Sequence, residues 1–98
     1  MVPNRDQVLT HLRAHRSDLL AMGVHALYLF GSVARGEAHE GSDVDLLVEF
    51  EGRFSYFDLC RVELQLTEWL GFPVDLVPRL LVRPELKGQI EQEAVLAA

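Results

Sequence analysis

LFGSVARG at residues 29–36 and SDVDLLV at residues 42–48 are the most informative stretches of this chain. Residues 26–30 form a short, continuous apolar run that ends at Gly31, which predicts a strand buried on both faces. Residues 44–50 predict a second strand, and residues 32–35 have room for one helical turn that Gly36 ends. The two stretches therefore place glycine, serine and aspartate beside two neighbouring strands.

The rest of the chain interleaves helices with strands. We expect a helix over residues 4–22 capped by Asn4, a helix that begins at Ser55, a short strand over residues 73–78 near a sheet edge, and a last helix from Pro84. The first helix has a predicted apolar stripe of Val8, Leu12, Leu19 and Leu20. The last helix has another, of Leu86, Ile90, Ala94 and Ala97. The order αβαβαβα favours an α/β fold in which helices pack on a sheet.

Length and charge exclude several classes of protein. The chain has 98 residues, 49% of them hydrophobic, and a formal net charge of −6, so we expect one domain over residues 1–98. The negative charge argues against direct nucleic-acid binding, because that affinity comes from lysine and arginine. No apolar run approaches the ~20 residues that cross a bilayer, and the first residues are unlike a signal peptide. With a single cysteine, Cys60, these features predict a cytoplasmic protein without a membrane anchor.

Asp43 and Asp45 are two acidic residues at the start of the second predicted strand. Side chains alternate along a strand, so both project from one face, with their Cα atoms roughly 7 Å apart. Paired carboxylates repel unless a cation lies between them, and hard oxygen ligands suit magnesium. The alternative is an ordinary strand with an acidic N-terminal end, which the spacing alone does not exclude.

Gly31 and Ser32 follow the first predicted strand directly. A glycine there lets a ligand approach the backbone, and a serine that opens a helical turn offers its hydroxyl and free N–H groups to phosphate oxygens. The same pair also fits a plain strand-to-helix turn with a serine cap. Together with the aspartate pair on the next strand, it indicates a site for a metal and a nucleotide.

Three more residues are candidates for this site. Asp75 lies mid-strand between two apolar residues, where it either points to solvent at a sheet edge or joins Asp43 and Asp45 around a cation. Arg35 either meets a phosphate or pairs with a neighbouring acid. Ser42 either binds a phosphate or caps the start of its strand.

Taken together, Gly31-Ser32-x-x-Arg35-Gly36, Ser42-Asp43-x-Asp45 and Val74-Asp75-Leu76-Val77 resemble the signature of the minimal nucleotidyltransferases of the polymerase-β superfamily. The chain resembles in particular the MntA-type antitoxins that accompany HEPN-domain toxins, and the resemblance extends to residues 90–94. It implies a polymerase-β-like core with a small mixed sheet, and no element of the signature is missing.

The resemblance also implies a reaction. Gly31 and Ser32 would hold the β- and γ-phosphates of ATP, with Arg35 and Ser42 as further nucleotide-binding candidates. Asp43 and Asp45 would bind two magnesium ions, and Asp75 would bind one of them and accept the proton of the attacking hydroxyl. The implied partner is a HEPN ribonuclease toxin that receives AMP on a tyrosine and is thereby neutralised. One alternative is a non-catalytic antitoxin that occludes the toxin, and another is nucleotide transfer to a small molecule.

Overall fold

Four strands form one mixed sheet in the computed structural model, which describes Met1–Ala98. Their order is β3-β2-β1-β4, with β2 and β3 parallel and the other neighbours antiparallel. The strands are β1 Val24–Phe30, β2 Val44–Phe50, β3 Val74–Pro78 and β4 Val95–Leu96. The helices are α1 Arg5–Ala14, α2 Arg16–Ala21, α3 Gly31–Ala34, α4 Tyr56–Leu70 and α5 Pro84–Glu93, with a 3₁₀ turn at Arg79–Leu81. The predicted α/β class with a mixed sheet is confirmed, and β3 is an edge strand as expected.

Successive side chains along each strand point to opposite faces, so the sheet has two unlike faces. One face carries apolar residues of all three longer strands and packs with α1, α2 and α4 into the core, whose fully buried members include Leu12, Leu19, Leu27, Leu46 and Leu66. The opposite face carries the odd-numbered residues of β2, and there Leu47, Tyr28 and Arg79 line a cavity of about 290 Å³ together with Glu91 and Ala94. The end of α5 thus lies over the second face, beside the acidic end of β2.

The prediction of one helix over residues 4–22 is wrong at His15. This residue adopts φ −100° and ψ 16° and separates α1 from α2. Its ring stacks on Trp69 with 3.9 Å between centroids, and its Nδ1 lies 3.0 Å from a carboxylate oxygen of Asp18. Tertiary contact with α4 accompanies the break, which local sequence alone does not reveal. Leu20, expected on the buried stripe, is exposed after the break.

The prediction of a last helix that includes Ala94 and Ala97 is also wrong. The helix ends at Glu93, because the next residue is extended and residues 95–96 pair with the outer edge of β1. The N–H of Ala97 donates to the carbonyl of Leu27 at 2.8 Å, and the Ala97 methyl is buried in the core. Pairing that satisfies the edge of β1 therefore outweighs continuation of the helix.

Other predicted boundaries agree closely with the structure. The strand over residues 44–50 is confirmed, and α4 has the full capping box of Ser55 and Asp58 and ends at Gly71 with φ 75°. The first strand begins at Val24, two residues earlier than expected, and Tyr28 and Phe30 on its second face are only half-buried. None of the helices has the length and apolar character required to span a bilayer.

Candidate active site

Asp45 and Asp75 are direct neighbours across the parallel pair β2–β3. The register aligns Val44 with Val74 and Asp45 with Asp75, so the side chains of Asp45 and Asp75 project from the same face of the sheet. The two strands that carry them lie about 4.8 Å apart. Asp43 lies two residues before Asp45 and is exposed, as is Asp75 at the sheet edge. The structure therefore brings together the three aspartates that the sequence singled out.

Burial and neighbouring charges perturb the carboxyl group of Asp45. Its pKa is raised to about 6, first by burial and then by the negative charges of Asp75 and Asp43, and Glu93 adds to the effect while Arg35 opposes it. None of the three aspartates takes part in an ion pair with a side chain of the protein. Negative charge at this end of β2 is thus left largely uncompensated.

This donor set fits a hard divalent cation by its chemistry and charge. Three carboxylates without cationic partners, one of them half-buried, are the oxygen ligands that magnesium takes, usually together with substrate phosphates. Their oxygens do not converge as a ready three-ligand cluster in this conformation. Coordination by all three would therefore require rotation of side chains that have no other partner to give up.

Gly31 forms the corner between β1 and α3, against Asp45. Its φ of +76° is a left-handed conformation, and a Cβ added there would lie 2.2 Å from Oδ2 of Asp45. Both constraints require glycine, as the sequence predicted for a close backbone approach. Ser32 follows half-buried, and its carbonyl accepts the N–H of Glu37 at 2.8 Å.

Glu93 is a further functional candidate, which the sequence pattern alone did not reveal. Its Oε2 accepts the N–H of Gly31 at 2.8 Å and also an Nη1 hydrogen of Arg35 at 2.8 Å. The residue lies 62 positions from Gly31 and reaches the corner only because α5 ends over the sheet. No local pattern assigns it a role, although the resemblance to the minimal nucleotidyltransferases extends to residues 90–94, which contain it.

Arg35 and Ser42 both make contacts within the protein. The Nε of Arg35 donates to Glu37 at 2.9 Å, and the pKa of Arg35 is raised by that hydrogen bond and by the charge of Glu93. Ser42 is buried, and its Oγ accepts the N–H of His39 at 2.8 Å. Acid pairing for Arg35 and a loop-holding role for Ser42 are thus observed, and a phosphate contact for either residue stays a prediction.

Comparison with known proteins places this geometry in a family. The nucleotidyltransferase domain family matches residues 11–97. MJ0435 of Methanocaldococcus jannaschii is 46% identical over 79% of this chain and 83% of its own length. Protein adenylyltransferase MntA of Thermococcus cleftensis is 36% identical over 92% of both chains.

Solved structures agree with this placement. A minimal nucleotidyltransferase superposes with a TM-score of 0.81 and 38% identity, over 94% of each chain. The MNT antitoxin of Shewanella oneidensis, solved in complex with its tri-AMPylated HEPN toxin, shares the fold with a TM-score of 0.60 at 17% identity, over 89% of this chain and 71% of that one. Because the family match spans most of the chain and the relatives and the solved structure agree with it, this chain belongs to the nucleotidyltransferase domain family, among its minimal members.

Proposed function

We propose that this protein is an antitoxin that transfers AMP from ATP to a tyrosine hydroxyl of a cognate HEPN toxin. One observation carries the proposal: Asp45 lies in register with Asp75 and directly against the Gly31 corner. A metal-binding edge and a phosphate-binding corner would then share one site. The adenylyltransferase relative supports AMP as the transferred group, and the Shewanella complex supports a HEPN partner.

Asp43, Asp45 and Asp75 are the residues that would hold two magnesium ions. Bound magnesium would neutralise phosphate charge and favour ionisation of the attacking hydroxyl. Gly31, through the close approach that its missing side chain allows, and the Ser32 hydroxyl would hold the β- and γ-phosphates, with Arg35 and Ser42 as further candidates. The raised pKa of Asp45 supports this assignment, because it reflects a half-buried carboxyl without a compensating cation.

The transfer itself is a substitution at the α-phosphorus of ATP. The tyrosine oxygen forms a bond to that phosphorus, and the bond from phosphorus to the oxygen bridging the β-phosphate breaks. Pyrophosphate leaves with the electron pair, and the hydroxyl proton passes to the Asp75 carboxylate. Asp75 suits this role because it is exposed on an edge strand, where a large acceptor has access.

A protein acceptor also agrees with the charge of the chain. The net charge of −6 disfavours a nucleic-acid acceptor, whose phosphates would be repelled. An AMP group adds bulk and negative charge to the toxin, and near its active site it would obstruct RNA binding.

Intact mass spectrometry of the cognate HEPN protein tests the proposal. The purified pair is incubated with ATP and Mg²⁺, and we expect the toxin mass to rise by whole AMP units. Asp43→Asn should abolish the shift, whereas Asp6→Asn, on the exposed first turn of α1, should retain it. An unmodified toxin in every reaction would refute the proposal. If Asp43→Asn transfers no AMP and still neutralises the toxin, neutralisation proceeds by binding and occlusion.

A further inference from the structure

Arg35 is held from two sides by carboxylates. Its Nε donates to Oε2 of Glu37, and its Nη1 donates to Oε2 of Glu93. The two acids differ in environment, since the Glu93 side chain is 17% exposed and that of Glu37 is 65% exposed. The Arg35–Glu93 pair is therefore the stronger restraint on the guanidinium, because water and salt screen it less than the Arg35–Glu37 pair.

Glu93 has little freedom of its own. It is the last residue of α5, the N–H of the following Ala94 donates to Ile90 at 2.8 Å, and Val95 already pairs with Leu29 of β1. The backbone is therefore fixed on both sides of Glu93. Its carboxylate provides one fixed oxygen that binds the Gly31 N–H and the Arg35 guanidinium together.

The remaining amino group of Arg35, Nη2, forms none of the hydrogen bonds that hold this side chain. A guanidinium fixed through Nε and Nη1 keeps its plane and offers Nη2 for a further acceptor, such as a phosphate oxygen. An arginine oriented before the ligand arrives loses less conformational entropy on binding.

We propose that Glu93 is a positioning residue for the triphosphate of ATP, acting through Arg35 and the Gly31 corner. The inference rests on the proposed function, because it presumes that this corner receives phosphates. It contrasts with a competing role in which Glu93 occupies the position of a phosphate oxygen and must be displaced. Positioning predicts weaker ATP binding when the carboxylate is removed, and competition predicts tighter binding.

Calorimetric titration of the protein with ATP and Mg²⁺ separates these outcomes. We expect Glu93→Ala to weaken binding about tenfold, the effect of one charge-assisted hydrogen-bonding group, and Glu93→Gln, which keeps an acceptor oxygen, to weaken it less than about threefold. Glu91→Ala is the matched control, since Glu91 is exposed on the same helix and makes only a 3.7 Å contact with Arg79. If Glu93→Ala fails to fold, Glu93→Met keeps the side-chain length without an acceptor.

A double-mutant cycle with Arg35→Ala tests whether Glu93 acts through the arginine. We expect the effect of Glu93→Ala on the Kd of ATP to fall at least about threefold in the Arg35→Ala background, which a general effect on folding would not produce. Equal or tighter ATP binding by Glu93→Ala overturns the inference and leaves the proposed function standing. Absence of ATP binding by the wild-type protein overturns the proposed function, and the inference with it.

Discussion

The two ends of the second sheet face carry acidic residues of the same strand in opposite electrostatic situations. At one end, Asp45 faces Asp75 across the sheet without an ion pair, and its pKa is raised to about 6 by burial and by neighbouring carboxylates. At the other end, Glu49 pairs with Arg79, and the pKa of Arg79 is raised by that hydrogen bond.

Arg79 is held further by Glu91 at 3.7 Å and lies 5.1 Å from the centroid of the Tyr28 ring. Glu49 thus has a cationic partner within the protein, as in a structural ion pair. An acidic residue on this face is therefore not enough to indicate a metal-binding site. What distinguishes the Asp45 end is the missing cation, which a bound metal would supply.

Neutralising one acid at each end is the most direct test of the comparison. We expect Asp45→Asn to lower the rate of AMP transfer to the HEPN protein by at least about 10³-fold, as for loss of a central electrostatic group. Glu49→Gln should change the rate less than about threefold, because Glu49 forms a structural ion pair with Arg79. Initial rates with labelled ATP measure both. A large loss with Glu49→Gln would show that the two ends act as one site.

Gly31 provides a second test of the Asp45 end of this sheet face, where the carboxylates lack a cationic partner. Gly31→Ala should lower transfer about 100-fold, because its Cβ would clash with Asp45 and displace the carboxylate that we propose to bind the metal. Gly23→Ala is the matched control: it has φ +87°, so it suffers similar backbone strain, but no atom lies within 4 Å of its added Cβ. We expect Gly23→Ala to cost about 1 kcal/mol of stability and to leave transfer nearly unchanged. Equal activity of the two variants would contradict a close approach at Gly31.

Much of this arrangement was predictable because it is local in sequence. Gly31, Ser32, Asp43 and Asp45 lie within two short stretches, and the period of a strand places the two aspartates on one face. Asp75 required only that its strand pair with β2. Its place between apolar residues left two alternatives, a side chain that points to solvent at a sheet edge or one that joins Asp43 and Asp45 around a cation.

The rest depends on contacts between distant parts of the chain. The end of α5 is set by pairing of residues 95–96 with β1, which the alanines of the last segment do not signal. Glu93 was missed for the same reason, since its role follows from where the helix ends. The break at His15 likewise reflects stacking on Trp69. In each case tertiary contact outweighed a helical pattern.

Magnesium should stabilise the folded protein by binding at the Asp45 end of this sheet face. At saturating Mg²⁺ we expect the Tm of the wild type to rise by about 4 °C, since a ligand that binds only the folded state adds to its stability. Glu49→Gln should show the same rise, and Asp45→Asn almost none. Thermal denaturation, monitored by circular dichroism, measures this change in Tm. A rise of equal size in Asp45→Asn would place the metal elsewhere.

The smallest expected effect is the pH dependence of stability at Asp45. Its pKa in the folded protein is about 6, above the ordinary value of 3.8, so the carboxyl is protonated in both folded and unfolded states below pH 3.8. Between pH 3.8 and 6 the unfolded chain ionises this carboxyl while the folded protein still holds it protonated beside Asp75 and Asp43, so stability falls as the pH rises and the loss is complete above about pH 6. Without metal, Asp45→Asn should therefore be more stable than wild type at pH 7.5, by about 1 kcal/mol after allowance for solvent screening of a half-buried group. The difference should shrink towards pH 4 in urea titrations, and a difference that grows on acidification would mean that a protein cation already compensates Asp45.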